Sequence, residues 1–444
     1  MRRCGSGWNS SLTPSEGAAS RQPLYRLIAA EPEEAPAIVD GFMLFFLLFA
    51  SYFMLRPVRE TFAIAGGVDN LQWLWTGTFA ATLLVVPLYG WIASRQPRRR
   101  LLPILYVLSA AVMAGFAASL AADPGNVWIA RAFYIWLSVM NLFVVSIAWS
   151  LMADLFEQDR GRRLFGQIAA GASLGGLTGP LLSGFLIAPL GEPGLLLLSA
   201  VLLLATLIFV RRLLAWRERL GPRADTPPAV ERMGGSVWAG LTLIARSPYL
   251  LAISAFVLML TMATTFLYFE QARIVEETFP DRTRQTQVFA AIDVVVQAST
   301  ILIQLFLTGR LAKRLGVTVL LVAVPLTMMA GFGLLALVAT FPVLAFVMIV
   351  RRVGEYALVK PGREMLFTTL DTQTKYKAKN VIDTFVYRGG DAISGWVHTG
   401  ITAMASITGV ALAGMAVAAI WAALGYAIGR RHEGKTTPPV AQPA

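Results

Sequence analysis

The sequence has little of the chemistry that metal centres, disulfides and enzyme active sites require. It contains one cysteine, Cys4, and only two histidines, His398 and His432, which have no ligand partners at metal-binding spacing. Zinc, iron–sulfur and disulfide sites need several such residues close together, so we expect no metal and no cofactor. No nucleophile–base pair stands in a plausible arrangement either. We therefore expect that the protein is not an enzyme.

Charged residues are also scarce. They make up 14% of the chain, against 56% hydrophobic residues and a mean hydropathy of +0.62. That leaves too little polar surface to cover a water-soluble protein of 444 residues, so the expected solvent is lipid. The net charge of +12 would suggest nucleic acid as a partner of a soluble protein, but here the basic residues lie in short loops between apolar runs. This pattern indicates membrane topology rather than nucleic-acid binding.

Apolar runs of about 20 residues are long enough to cross a bilayer as helices. We therefore predict an all-α membrane protein of about twelve transmembrane helices. The predicted spans are 36–55, 71–93, 101–122, 127–153, 164–190, 194–214, 249–269, 285–308, 315–340, 342–362, 379–402 and 404–429.

The loops of this predicted topology differ in charge. Loops 94–100, 154–163 and 211–248 are arginine-rich, whereas the opposite loops hold two small clusters that include Arg56 and Arg59. The positive-inside rule then places both termini in the cytoplasm, and the short, arginine-rich loops suggest a bacterial inner membrane. The predicted organisation is a disordered tail (1–35), an N-terminal six-helix half (36–214), a cytoplasmic linker (215–248), a C-terminal half (249–429) and a cytoplasmic tail (430–444).

The two halves resemble each other. A shift of about 219 residues brings Gly90 onto Gly309 and Gly171 onto Gly390. Gly90, followed by Ser94-Arg95 and the basic residues 98–100, resembles the loop motif of the major facilitator superfamily, although that motif usually has aspartate where Ser94 stands. Two parallel halves of six helices imply the major facilitator fold, with a solute site near the midplane between the halves.

Several predicted spans carry ionisable residues, which are costly in a bilayer and therefore mark candidate translocation paths. In the tenth span, Arg351, Arg352 and Glu355 are spaced so that the Glu355 carboxylate can pair with either arginine along the helix. Arginine forks suit bidentate binding of phosphate or carboxylate, so an anionic solute is favoured. The alternative is that these charges only neutralise one another as structural pairs. The candidate substrate-binding residues are Arg59, Tyr134, Asn141, Glu270, Arg351, Arg352 and Arg388. The candidate coupling residues or counter-charges are Glu60, Asp293, Glu355, Asp383 and Asp391.

Two stretches resemble the non-mitochondrial ATP/ADP translocases, the nucleotide transporters of plastids and obligate intracellular bacteria. They are residues 53–61, which contain Arg59-Glu60-Thr61, and residues 360–391, which contain Lys360-Pro361-Gly-Arg363-Glu364-Met365 and Lys377-Ala-Lys379. The resemblance implies roles in the solute site for Arg59, Glu60 and Glu270. Ser138 stands near the place of a family acid, and Asp391 stands in place of a family lysine.

These observations predict a secondary-active transporter that works by alternating access. Its expected solute is an anionic or phosphorylated metabolite, and a nucleotide is one candidate. Two alternatives stay open at this point: a proton-coupled exporter of a drug-like or lipid-like solute, and a membrane receptor or assembly factor that keeps the fold without transport. The expected partners are the solute and the lipid bilayer, and the expected state is monomeric.

Overall fold

A computed structural model describes residues 34–156, 158–220, 237–405 and 407–436. All regular secondary structure in these ranges is helical. The predicted tail before residue 34, residues 221–236 of the predicted linker and the last eight residues lie outside the described residues.

The first half of the chain contains five long helices. A 3-10 turn, Val68–Asn70, precedes the second. The helices are α1 (Ala35–Ala65), α2 (Leu71–Arg95), α3 (Arg98–Ala122), α4 (Val127–Leu155) and α5 (Gln158–Arg219).

The second half contains more and shorter helices, because π-helical turns interrupt it. These turns are Gln304–Thr308, Glu355–Val359 and Ile382–Val386, and a 3-10 turn spans Phe367–Thr369. The helices are α6 (Val237–Arg246), α7 (Pro248–Thr278), α8 (Arg282–Ile303), α9 (Gly309–Leu337), α10 (Phe341–Gly354), α11 (Lys360–Leu366), α12 (Thr372–Val381), α13 (Tyr387–Met404) and α14 (Ile407–Thr436).

Eight helical stretches of the described residues are long and apolar enough to cross a membrane. Two of them run for 56 residues, and each is interrupted at a glycine with positive φ, Gly191 (65°) or Gly316 (77°). Counted as two spans each, they raise the number to ten. The helical paths 341–366 and 372–404 would complete the predicted twelve, but their charged residues keep them from being recognised by hydropathy.

Local sequence signals explain several helix ends. The Asn126 side chain accepts a hydrogen bond from the backbone N–H of Trp128 (2.9 Å) and so caps the start of α4. Ser247 caps α7, and Pro248 stands at its first position, where a missing N–H costs nothing. Beyond α1, Gly67 adopts φ 95°, which favours glycine.

The apolar side chains form one large core in each half. The first core is built from α1, α3, α4 and α5, with Phe45, Phe62 and Phe133 among its fully buried residues. The second is built mainly from α7, α9, α10 and α14, with Phe256 and Trp421 in its interior. Each core is therefore continuous within its own half.

Close helix crossings repeat between the halves with the spacing that the sequence predicts. A Cβ at Gly171 in α5 would overlap the backbone of Phe42 in α1, and a Cβ at Gly390 in α13 would meet the hydroxyl of Thr261 in α7 at 2.5 Å. The shift of 219 residues that relates the two glycines also relates Phe42 to Thr261. Small residues at such positions allow helix backbones to approach closely in a membrane.

We call the face that carries residues 34 and 436 the terminal side. On the opposite side the two halves are in contact. Thr61 Oγ1 lies 2.8 Å from Thr286 Oγ1, and Trp396 Nε1 donates a hydrogen bond to Thr76 Oγ1 at 3.1 Å. Arg282 Nη1 donates to the backbone oxygen of Pro124 at 2.7 Å. The structure is therefore closed between its halves on the opposite side.

Two sequence-based boundaries differ from the structure in ways that matter for the site. Helix α1 continues to Ala65, ten residues beyond the predicted end of the first span, so Arg56 and Arg59 lie in the helix and not in a loop. The linker region contains helix α6, which packs against α12 with Gly240 close to Val381.

Candidate functional site

A small polar cavity of about 170 Å³ lies between the two halves. Helices α1, α2 and α4 supply its first-half wall, and α7, α8, α10 and α13 supply much of the other. It contains nine of the twelve predicted site residues. These are Arg59, Glu60, Tyr134, Asp293, Arg351, Arg352, Glu355, Arg388 and Asp391.

Two larger cavities, of about 680 and 760 Å³, lie between the halves toward the terminal side. They share Tyr356, Lys360, Tyr387 and Arg388, and we call them together the vestibule. Predicted site residue Asn141 lines the larger cavity, and Asp383 lines the smaller one. The vestibule and the central cavity thus form a path that is open on the terminal side and closed on the opposite side.

Asp293 of α8 connects arginines from both halves. One carboxylate oxygen lies 2.5 Å from Arg352 Nη2 of α10, and the other lies 3.8 Å from Arg56 Nε of α1. The Asp293 side chain is only 3% exposed, so these two guanidinium groups, rather than water, are its nearest counter-charges. This carboxylate is therefore a charged link across the interface between the halves.

The other cavity arginines also have carboxylate neighbours. Arg351 Nη1 lies 2.7 Å from Glu355 Oε2, one helical turn away, as the sequence spacing predicts. Arg388 Nη1 lies 3.7 Å from Asp391 Oδ2 in α13. Arg59 forms an ion pair with the adjacent Glu60. Each buried charge in the cavity is thus partly neutralised in the absence of a solute.

Donor capacity nevertheless remains. The buried Nε atoms of Arg59, Arg351 and Arg352 have no hydrogen-bond partner within the described residues. A buried N–H without an acceptor is costly, and a guanidinium presents donors in a fixed fork that matches carboxylate or phosphate. The arginines can therefore accept an additional anion without first losing every existing bond.

The larger vestibule cavity has a one-sided charge distribution. Among the described residues, its lining includes four cations, Arg56, Arg59, Lys360 and Arg388, and no carboxylate. Its remaining surface combines aromatic rings, such as Tyr52 and Phe53, with amide and hydroxyl groups of α8. By contrast, the smaller cavity has acids beside its bases, because Arg363 lies 2.9 Å from Asp383 and Lys379 lies 2.6 Å from Glu364.

Polar side chains of α8 and of the turn after it follow this path. Asp293 faces the central cavity, and Gln297, Thr300 and Gln304 line the larger vestibule cavity. A helical period brings these residues to one face, as expected of a helix that lines a wet path.

Glu270 is the predicted site residue that the structure places elsewhere. It is absent from the lining of the central cavity and the vestibule, and its Oε1 lies 3.3 Å from His398 Nε2 in α13. Both side chains are 8% exposed, and the rings of Phe266 and Phe269 pack on the imidazole. No sequence pattern connects these two residues, which are 128 positions apart.

Sequence reasoning also missed residues that the path contains. Arg56 was placed in a loop, although its spacing of three residues from Arg59 puts both on one helix face once the helix is long enough. Lys360 and Tyr356 are not among the predicted site residues, because the π turn at Glu355–Val359 changes which side chains of the helix face the path. Only the helix path could reveal that change.

The family model described as Major Facilitator Superfamily matches residues 41–362. The ADP,ATP carrier protein 1 of Chlamydia muridarum (strain MoPn / Nigg) is 20% identical over 463 residues, which cover 87% of each protein. The weak match agrees with the resemblance found in the sequence. The matched proteins are transporters, as expected, and not enzymes.

Solved structures of several transporters share the fold at low sequence identity. A bacterial homologue of the iron transporter ferroportin in an inward-facing state has a TM-score of 0.62 and 14% identity, covering 89% of this chain and 98% of its own. The nucleoside transporter NupG, as a D323A mutant, has a TM-score of 0.58 and 13% identity, covering 90% and 100%. A POT family transporter in complex with a thioalcohol-conjugated peptide has a TM-score of 0.63 and 13% identity, covering 90% and 97%. With its two packed halves, its polar path between them and a family match over most of its length, this chain belongs to the major facilitator superfamily of membrane transporters.

Proposed function

We propose that the protein is a secondary-active transporter for an anionic, phosphorylated metabolite, and that the solute binds between the halves at Arg59, Arg351, Arg352 and Arg388. The observation that carries this proposal is the larger vestibule cavity, whose lining among the described residues has four cations, Arg59 and Arg388 included, and no carboxylate. Arg351 and Arg352 line the adjoining central cavity. The carboxylate neighbours of Arg56, Arg59 and Arg388 neutralise these cations only in part, so an anion that enters the partly enclosed cavity interacts favourably with them. The cavity of about 760 Å³ is within the size range of small-molecule sites.

The central cavity supports the second part of the proposal, which concerns how binding is coupled to movement. Asp293 bridges Arg56 of the first half and Arg352 of the second. An anion that binds these arginines competes with Asp293 and weakens a link between the halves. Asp293, Glu355 and Asp391 then act as counter-charges that hold the arginines when the site is empty.

Alternating access follows from the arrangement of contacts and cavities. The opposite side is held by contacts such as Trp396 with Thr76, whereas the terminal side is open through the vestibule. Transport requires the reverse arrangement as well. We propose a bacterial inner-membrane location with both termini in the cytoplasm, so that the described state opens to the cytoplasm.

A nucleotide is the first solute to test, because the 20% identical relative is named an ADP,ATP carrier. Purified protein in proteoliposomes should take up labelled ATP or glucose 6-phosphate in preference to uncharged glucose. Arg388→Gln should lower the initial rate by about tenfold or more, which corresponds to one charged hydrogen bond. Arg284→Gln is the matched control, since Arg284 is exposed and lies outside the cavities.

The same vesicles distinguish the alternatives. Uptake that needs a pH gradient and ignores the phosphate group supports a proton-coupled exporter instead. A folded protein that moves none of a broad panel of anions, sugars and lipophilic cations would favour a receptor or assembly role and would refute the proposal.

A further inference from the structure

Two π-helical turns face each other across the second half. One, Gln304–Thr308, joins α8 to α9, and the other, Glu355–Val359, joins α10 to α11. A π turn contains one residue more than the corresponding α-helical turn and disturbs the normal pairing of backbone groups. Such turns are rare and concentrate at functional sites.

Side chains of the first turn bond the backbone of the second. Gln304 Nε2 donates a hydrogen bond to the Tyr356 carbonyl oxygen at 3.0 Å. Thr308 Oγ1 donates to the Ala357 carbonyl oxygen at 2.9 Å, with the Ile303 carbonyl oxygen of its own helix as a more distant acceptor at 3.2 Å. Two consecutive carbonyl groups of one π turn thus receive donors from two residues of the other. Because Thr308 is 9% exposed, its bond is largely shielded from competing water.

The inserted residue decides which face of the following helix meets the vestibule. One residue corresponds to about 100° of rotation in an α-helix, so every side chain beyond the π turn is rotated by that amount relative to an uninterrupted helix. In the structure Lys360 is exposed and lines both vestibule cavities, whereas Val359 is 1% exposed. Without the extra residue in the turn, the position of Lys360 would be taken by Val359.

We propose that Gln304 and Thr308 are positioning residues, which hold the π turn of α10–α11 and thereby keep the Lys360 ammonium group on the vestibule wall. The inference rests on the proposed function for its meaning, since Lys360 is one of four cations in the carboxylate-free cavity. Lys360 forms no ion pair within 4.0 Å among the described residues, and the acid that acts on it electrostatically is Asp383, which shares the smaller cavity. The two donors therefore set the anion preference of the path through the position of Lys360; Thr308 does so from outside the cavity lining, whereas Gln304 is also part of that lining.

Thiol labelling tests the position of Lys360 without any substrate. In a background with the single native cysteine replaced (Cys4→Ser), Lys360→Cys and Val359→Cys are each combined with Thr308→Val. With Thr308 intact, the thiol at 360 should react quickly with a membrane-impermeant methanethiosulfonate and the thiol at 359 slowly. Thr308→Val should slow the first and accelerate the second, each by about tenfold, because thiol reactivity follows access.

Matched variants separate this effect from general damage. Thr308→Ser keeps the hydroxyl and should restore the native pattern. Thr327→Val removes a threonine that bonds only its own helix, at Val324 O, and should leave both rates unchanged. Gln304→Leu should shift the rates in the same direction as Thr308→Val. Unchanged rates at 359 and 360 in both Thr308→Val and Gln304→Leu would overturn the proposal.

A second measurement reports the charge of the vestibule. Ser173, exposed on α5, lines the larger cavity, and Ser173→Cys can be labelled with anionic and cationic reagents of equal size. Thr308→Val should lower the anionic-to-cationic rate ratio to the value found with Lys360→Gln. If Ser173→Cys gives the same ratio with and without Thr308→Val, the lysine has not moved and the positioning role is wrong. Neither readout requires transport, so failure of the proposed substrate class is recognised separately.

Discussion

Removal of the Asp293 carboxylate is the sharpest test of the charged interface between the halves. Asp293→Asn keeps the volume of the side chain but leaves Arg352 and Arg56 without their shared counter-charge. Both groups of the Asp293–Arg352 pair are less than a tenth exposed, at 3% and 8%. Removal of one partner of a buried pair costs about 3–5 kcal/mol, because the other charge remains buried and uncompensated.

The chain offers an exposed pair as a control. Arg98 and Asp154 lie 2.7 Å apart, with side chains 44% and 45% exposed. Water screens such a pair, so Asp154→Asn should cost about 0.2–1 kcal/mol. The two aspartate variants therefore differ in burial and share the chemical change.

The assay is reversible unfolding in mixed detergent micelles, with the free energy of unfolding measured for each variant. A double-mutant cycle of Asp293→Asn with Arg352→Gln should show a coupling energy of about 0.5–3 kcal/mol, so that the double variant is more stable than the sum of the single effects predicts. If Asp293→Asn destabilises no more than Asp154→Asn, or if the cycle is additive, the assignment of Asp293 as a buried link between the halves is wrong.

Three further changes test other parts of the structure. Gly175→Leu should destabilise the protein by about 1–3 kcal/mol, because a Cβ at this position overlaps the backbone of α1. Gly166→Ala should be nearly neutral, since no atom lies within 4 Å of a Cβ there. Unfolding in micelles measures both variants, and equal effects would contradict the close crossing of α5 and α1. Arg282→Gln removes a contact between the halves on the opposite side, at a cost of about 1 kcal/mol for this partly exposed residue. The fraction of molecules open on that side should therefore increase about fivefold. Distances between spin labels measure this fraction, and an unchanged distance distribution would show that Arg282 does not contribute to the closure. Glu270→Ala should lower the free energy of unfolding by about 1–3 kcal/mol more than Glu270→Gln does, because the glutamine keeps an acceptor for His398. Equal unfolding free energies would show that the buried pair does not stabilise the packing of α7 against α13.

Sequence patterns were sufficient for the class of the fold because they follow from the solvent. A bilayer requires long apolar helices, and the scarcity of charge together with basic loops predicted a multi-span membrane protein in two related halves. The 219-residue shift had a packing basis, since Gly171 and Gly390 take equivalent places at helix crossings. Charges within the predicted spans are costly in lipid, and for that reason they led to six of the residues that line the central cavity, namely Asp293, Arg351, Arg352, Glu355, Arg388 and Asp391.

What the tertiary structure decided was the pairing of those charges and the faces on which they lie. The sequence offered Glu355 two arginines, and the structure pairs it with Arg351 while Arg352 binds Asp293. It also joined Glu270 to His398, which lies on a helix far along the chain. A one-residue insertion in a helix leaves no periodic signal in apolar residues, so only the folded chain showed that Lys360 reaches the vestibule. Hydrophobicity thus determined where the helices run, whereas contacts between distant helices determined which side chains meet.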